Sequence, residues 1–303
     1  MSKIKSMEKA ISTAVSDGDC VYLAGFTHLI PFAAAHEIIR QRYTGLEVAR
    51  ATPDLVYDQM IAAGCVEKVL FSWAGNPGVG SLHAFRRAVE ESVPGPVELE
   101  EYTHFGMTMR LYAGAVGLPF VPLNTFAGSD LPDKNDNIRS VQSPFGDDEL
   151  YAVPPLNPDV AVIRGQRADE NGNVHLWGIP GEHKEAALAS DVVVLSVEEI
   201  VDESTIRSDP NRTLVTADDI DHVVEERYGS HPSYAQGYYN RDNDAYLNWG
   251  EISRTHEDTQ DWLDEWVYGV ADRDEYIRKL STNRLLDLQT GNAHSTTINM
   301  GEN

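Results

Sequence analysis

The chain has 303 residues, enough for one large domain or two modest ones, with the 42% hydrophobic and 9% aromatic content of a globular protein. Its 48 acidic residues outnumber 24 basic ones, a formal net charge of −24 that repels nucleic acid and anionic membrane surfaces and excludes both as expected partners. No apolar run reaches the ~18 residues of a membrane span, and the start MSKIKSMEKA lacks a signal-peptide core, so a cytoplasmic location is expected.

In chain order, SMEKAISTAVSD predicts a helix, CVYLA a strand, FAAAHEIIRQRY a helix and LEVARA a strand. DLVYDQMIAAG then reads as a helix, VEKVLFSW as a strand, LHAFRRAVEE as a helix, VELEEY as a strand and FGMTMRLYAGAVG as a helix. Alternation with short turns implies βα units: an α/β fold with an open, mostly parallel sheet covered by helices. Such sheets place ligands at the carboxyl ends of their strands, where the turns YLAGFTH and SWAGNPGVGS fall.

Residues 122–155 are rich in Gly, Pro, Asp, Asn and Ser and read as one long loop excursion, serving function or an oligomer contact. DVAVIRG resumes as a strand, Asn171-Gly172 predicts a hairpin turn, and DVVVLSV fits a buried central strand. A C-terminal helical segment at about 243–281 follows. Thr255 with Asp258 and Asp272 with Glu275 are spaced as capping boxes, the first ahead of an apolar face of Trp262, Leu263, Trp266 and Val267. No linker separates this segment from the α/β part, so residues 1–289 are expected to form a single domain and 290–303 a flexible tail.

Cys20 and Cys65 stand in apolar settings and read as two buried free thiols of a reducing compartment. Neither has a second cysteine or histidine at ligand spacing, and the ten histidines are scattered, so no metal site is expected. The acidic residues are dispersed rather than gathered in a tail, and lysines number 7 against 17 arginines. That dispersal suggests a halophilic surface of haloarchaeal type, in which salt screens the self-repulsion.

AGNPGVGS, residues 74–81, invites comparison with phosphate loops, but Gly80 stands where a Walker loop has its lysine and the glycines miss the dinucleotide spacing. Backbone amides approaching a ligand oxygen stay open there, beside the bland reading of Asn76 as a turn former. Glu170 sits in a hairpin tip, a poor place for a nucleophile, and neither a Gly-x-Ser-x-Gly elbow nor a Cys-His pair is found. His36 and His83 read as helix packing residues, whereas His28, His104 and His231 border turns. The residues taken alone give a ligand-binding α/β fold without a convincing nucleophile.

DGDCVYLAGFTHLIP, SWAGNPGV, GLPFVPL, VEEIVDESTIRSDP and YGSHPS together resemble the alpha subunit of family I CoA-transferases, most of all that of glutaconate CoA-transferase. The likeness runs in order from Met1 to about Leu288. It implies a fold like ribose-5-phosphate isomerase and a beta subunit, in a heterotetramer or larger assembly, that supplies the nucleophilic glutamate. Coenzyme A is then a substrate, not a resident cofactor, and no catalytic nucleophile is expected on this chain. The implied chemistry is ping-pong transfer of CoA from an acyl-CoA to a carboxylic acid. Carried over residue by residue, the resemblance nominates Gly25, Phe26, Thr27 and His28, Trp73 and Asn76, His104 and Phe105, and Gly128 and Ser129 as substrate-binding residues.

Three positions depart from the family pattern. Ala24 replaces a glycine before the aromatic residue, Pro31 lies one residue early, and Phe105 stands where several relatives carry a polar or acidic group. Phe105 favours a bulkier or more apolar acyl group than glutaconate. Two alternatives share the fold: a subunit of a ring-cleaving C–C hydrolase acting on CoA thioesters, against which Phe105 argues, and a non-catalytic binding module.

Overall fold

The computed structural model describes residues 2–290 and 299–301. Its strands are β1 (Cys20–Leu23), β2 (Leu46–Ala49), β3 (Val66–Phe71), β4 (Glu98–Glu101), β5 (Val121–Leu123), β6 (Arg139–Gln142), β7 (Glu149–Val153), β8 (Val160–Ala168), β9 (Val174–His175), β10 (Val192–Ile200) and β11 (His222–Glu225). The helices of the first half are α1 (Met7–Ala14), α2 (Phe32–Arg40), α3 (Leu55–Ala62), α4 (His83–Glu91), α5 (His104–Val116) and α6 (Leu131–Lys134). Those of the second are α7 (His183–Ala189), α8 (Glu203–Arg207), α9 (Asn243–Ile252), α10 (His256–Leu263), α11 (Arg273–Lys279) and α12 (Thr282–Asp287).

The main sheet runs β11-β10-β8-β1-β2-β3-β4, with every neighbouring pair parallel, and β9 joins β8 antiparallel through the expected Asn171-Gly172 hairpin. Asp169 shapes that turn by accepting the N–H groups of Asn171, Gly172 and Asn173 on Oδ1, which leaves Glu170 at the exposed tip.

Alternation along each strand feeds two cores. Val21, Leu23, Val48, Val69, Val162 and Val194 face one side, beneath α1–α4 and the C-terminal helices, while Tyr22, Ala24, Ala49, Leu70, Ile163 and Leu195 face the other, beneath α5 and α7. Each fully buried aliphatic side chain contributes roughly 1.5–3 kcal/mol, so both faces must be covered for the sheet to stand.

One expectation is corrected. Residues 122–155 are not a plain loop: β5, β7 and β6 form a small antiparallel sheet, with Val121, Leu123 and Val153 closing over the second core. The strands β6 (RSVQ) and β7 (ELYAV) are short and half exposed, so they lack the apolar alternation by which strands are read. The cysteine expectation is corrected in one respect as well: Cys65 is buried but Cys20 is only half buried, at the start of its strand. Both thiols are free, and burial pushes each up to about 12, leaving them protonated and inert.

The C-terminal helices carry the expected caps. Thr255 Oγ1 accepts the N–H of Asp258 at 3.1 Å and Asp272 Oδ1 that of Glu275 at 2.8 Å. After α10 the chain widens into a π turn over Asp264–Tyr268, which brings Trp266 parallel to Trp262 with Leu263 and Val267 buried. Most of the expected tail lies outside the described residues. At 299–301 the chain is held, with Arg241 Nη1 donating to the carbonyl of Met300 at 2.9 Å.

Candidate functional site

Four connections leave the sheet on one edge, after β1, β2, β3 and β4, and they carry the candidate site. The turn after β1 is the most constrained. Gly25 has φ 124°, and an added Cβ would lie 2.9 Å from Ile30 Cγ1 and 3.0 Å from the carbonyl of His28. Thr27 and Leu29 are left-handed at φ 58° and 52°, a conformation that costs a bulky or β-branched residue of order 1–3 kcal/mol.

Later segments hold this strained turn in place. Ser233 Oγ donates to the carbonyl of Thr27 at 2.8 Å, and Leu29 N–H donates to the carbonyl of Tyr234 at 3.0 Å. His28 Nδ1 lies 3.0 Å from the carbonyl of Ile179, while Nε2 accepts the N–H of Gln236 at 3.0 Å. The ring is fully buried, and burial lowers its pKa to about 3, so it is a neutral strut. The turn leaves one large side chain exposed, Phe26, at 40%.

Ser72 and Trp73 continue β3, and the exposed Trp73 indole folds over Gly75. Asn76 is buried: its Oδ1 accepts the N–H of Leu55 at 2.8 Å, pinning the glycine-rich loop to the start of α3, while Nδ2 finds no partner among the described residues. Beyond β4, Thr103 caps α5 through the N–H of Gly106 at 3.0 Å and touches Thr125 Oγ1 at 3.1 Å. That contact draws the loop carrying Gly128 and Ser129 alongside; both are exposed, and Ser129 Oγ donates to the carbonyl of Phe126. His104 meets the Phe26 ring edge-on at 6.5 Å, and Phe105 projects at 56% exposure.

The nominated residues therefore divide by role. Phe26 and His104 meet edge-on, Trp73, Phe105, Gly128 and Ser129 are exposed on the neighbouring connections, and Gly25, Thr27, His28 and Asn76 shape the turns after β1 and β3. His231, favoured in the sequence for its turn, is buried between Asp242 (2.9 Å) and Tyr276 (3.0 Å), where it ties the C-terminal helices together.

Sequence reasoning missed Ser72, Thr108 and the segment Ile179–Glu182. Gly181 packs against Phe26, and Glu182 receives the hydroxyls of Thr108 (2.5 Å) and Tyr22. Its carboxylate is thereby spent on organising this wall. The Gly-Ile-Pro-Gly run just before Glu182 was the signal that could have marked a turn there.

Comparison with known proteins places this geometry. The family model described as Coenzyme A transferase matches residues 4–226. The chain is 48% identical to the A-subunit of the 3-oxoadipate CoA-transferase of Pseudomonas knackmussii, across 93% of this chain and 99% of that one. It is 33% identical to the A-subunit of the glutaconate CoA-transferase of Acidaminococcus fermentans, across 95% of each. A crystal structure of that Acidaminococcus enzyme superposes with a TM-score of 0.92 over 98% of this chain and 99% of that one, at 31% identity. The cholesterol ring-cleaving hydrolase IpdA subunit of Rhodococcus jostii is more distant, at 26% identity over 80% of this chain and 84% of that one. The likeness to the glutaconate enzyme stands, but of the two transferases the 3-oxoadipate enzyme is the more similar.

Proposed function

We infer, for a chain that belongs to the coenzyme A transferase family, an alpha subunit that builds one wall of an active site completed by a beta subunit. The observation that carries this reading is the strained turn at Gly25–Leu29, which presents Phe26 edge-on to His104, with Trp73 and Phe105 exposed on the connections after β3 and β4. The beta subunit's glutamate attacks the acyl-CoA thioester, giving an acyl-glutamyl anhydride and CoA thiolate. The thiolate attacks the glutamyl carbonyl and releases the first acid, and the acceptor carboxylate then resolves the glutamyl-CoA thioester. Backbone amides of the turns after β1 and β3 serve the oxyanions of these steps. Coenzyme A is a substrate, and no other cofactor is required.

The acyl group in this reading is a dicarboxylic acid longer than glutaconate, as the name of the 3-oxoadipate relative suggests, with its methylenes lying on Phe26, Trp73 and Phe105. The partner covers the exposed apolar residues Tyr112, Val116, Leu118 and Phe120 on and just beyond α5. Co-expression with the neighbouring beta-like chain tests the function: the pair should transfer CoA between 3-oxoadipate-like acids, and this chain alone should not. Transfer by the unaided chain, or thioester cleavage without transfer by the pair, would overturn it.

The charge of −24 belongs to the same proposal as an adaptation to salty cytoplasm. Thermal unfolding should shift upward with molar potassium chloride, and full stability in dilute buffer would count against that adaptation.

A further inference from the structure

Between α3 and the helices α9–α12 lies a cavity of about 370 Å³ that shares no residue with the nominated site. Trp262, Trp266 and Tyr276 line it, and His36 links Trp262 to Tyr276. Ring centroids stand 6.5 Å apart from Trp262 to Trp266, 5.5 Å from Trp266 to Tyr276, 5.7 Å from Tyr276 to His36 and 6.0 Å from His36 to Trp262. Among the described residues no ring contact spans the diagonals, so the four rings form a closed circuit. Aromatic faces are electron-rich, and a small cation among rings at this spacing stands within the ~6 Å reach of cation–π attraction.

Two of these rings already attract cations. Lys279 Nζ lies 4.8 Å from the Trp266 centroid, and Arg273 Cζ 4.0 Å from that of Tyr276. The Tyr276 ring is enriched further through its hydroxyl, 3.0 Å from Nδ1 of His231, whose Nε2 lies 2.9 Å from the Asp242 carboxylate. A carboxylate only accepts, so Nε2 carries the proton and Nδ1 of the neutral ring is an acceptor. Tyr276 is therefore the donor, and the chain of bonds back to Asp242 leaves negative charge on its oxygen.

The fixed charges have the matching sign. Arg284 donates to Asp242 through Nε and Nη2 and to the exposed Asp244 through Nη1 at 2.8 Å, so one guanidinium faces two carboxylates. Lys279 is paired with Glu265 at 3.2 Å, and Arg273 interacts with Glu226. His36 adds no positive charge, because burial holds its pKa well below the usual value. One carboxylate is left in surplus, which repels anions. A metal ion or a primary ammonium is strongly hydrated and loses much on leaving water, whereas a cation clothed in methyl groups loses little. We propose that this cavity binds a small quaternary ammonium compound, its methyl groups on Trp262, Trp266 and Tyr276 and its charge toward Asp244. The site stands apart from the turns after β1 and β3 and does not rest on the transferase reading.

Calorimetric titration of the full-length chain with choline chloride tests this, with sodium chloride holding the ionic strength constant. The comparison ligand is 3,3-dimethylbutan-1-ol, the uncharged isostere of choline. Choline should bind in the millimolar range and the alcohol about tenfold more weakly. Trp266→Leu should weaken choline by about tenfold, and Trp266→Phe should recover most of that loss. Asp244→Asn, a change at an exposed side chain that leaves the fold intact, should weaken choline severalfold. Equal affinity for choline and the alcohol, or no saturable heat from choline up to about 100 mM, would overturn the proposal. So would an affinity for choline that neither Trp266→Leu nor Asp244→Asn alters.

Discussion

The backbone N–H of Gln236 donates to Nε2 of His28 at 3.0 Å, and this bond requires an unprotonated ring. In the unfolded chain the imidazole protonates near pH 6.5, whereas in the fold burial lowers it to about 3. Between those values the unfolded state binds a proton that the native state refuses. The stabilisation is complete above pH 6.5 and is lost as pH falls toward 3, at up to about 1.4 kcal/mol per unit. Denaturant unfolding at pH 7 and pH 5 should show the wild type losing about 2 kcal/mol more than His28→Gln. An equal loss would show that His28 does not cause the acid sensitivity.

Gly25→Ala should damage the cleft before it damages the fold. The new methyl meets Ile30 and the carbonyl of His28 at a φ of 124°, a strain of about 1–3 kcal/mol. The structure relieves it by moving Phe26, so transfer should fall steeply while the circular dichroism spectrum is kept. Normal turnover would mean that the turn relaxes without loss.

Much of this architecture was legible, because strong signals are local. The alternation from Met7 to Val116 and the capping boxes at Thr255 and Asp272 each lie within one element or its neighbour. The cleft's roles were not legible, for they depend on partners far along the chain. His28 looks like a ligand until Ile179 and Gln236 consume both its nitrogens. Asn76 looks like a turn former until Leu55 claims its oxygen. Ser72 carries no motif; its bonds to Ala51 and His104 exist only where β2, β3 and α5 converge.

A buried ion pair supports the other side of the sheet. Glu198 accepts from Arg164 and Tyr239 on Oε1 and from the N–H of Tyr228 on Oε2. Glu198→Ala strands a buried guanidinium and should cost about 3–5 kcal/mol in denaturant unfolding. Replacing both partners together, Arg164→Met with Glu198→Met, should recover much of that loss. If the double variant is no better than the single one, the pair is not the source of the stability.

Phe105 offers a test of acyl selection. It is largely exposed, so Phe105→Ala should alter stability by no more than about 0.5 kcal/mol. The lost apolar contact should lower kcat/KM for a longer dicarboxylate by about tenfold relative to glutaconate. An equal effect on both acids would remove Phe105 from the specificity determinants.

The glycine-rich loop has an unexpected neighbour. A Cβ at Gly78 would stand 2.6 Å from the carbonyl oxygen of Met300, and Arg241 bonds the carbonyls of Pro77 and Met300 alike. The last described residues thus buttress the back of the pocket that Trp73 fronts.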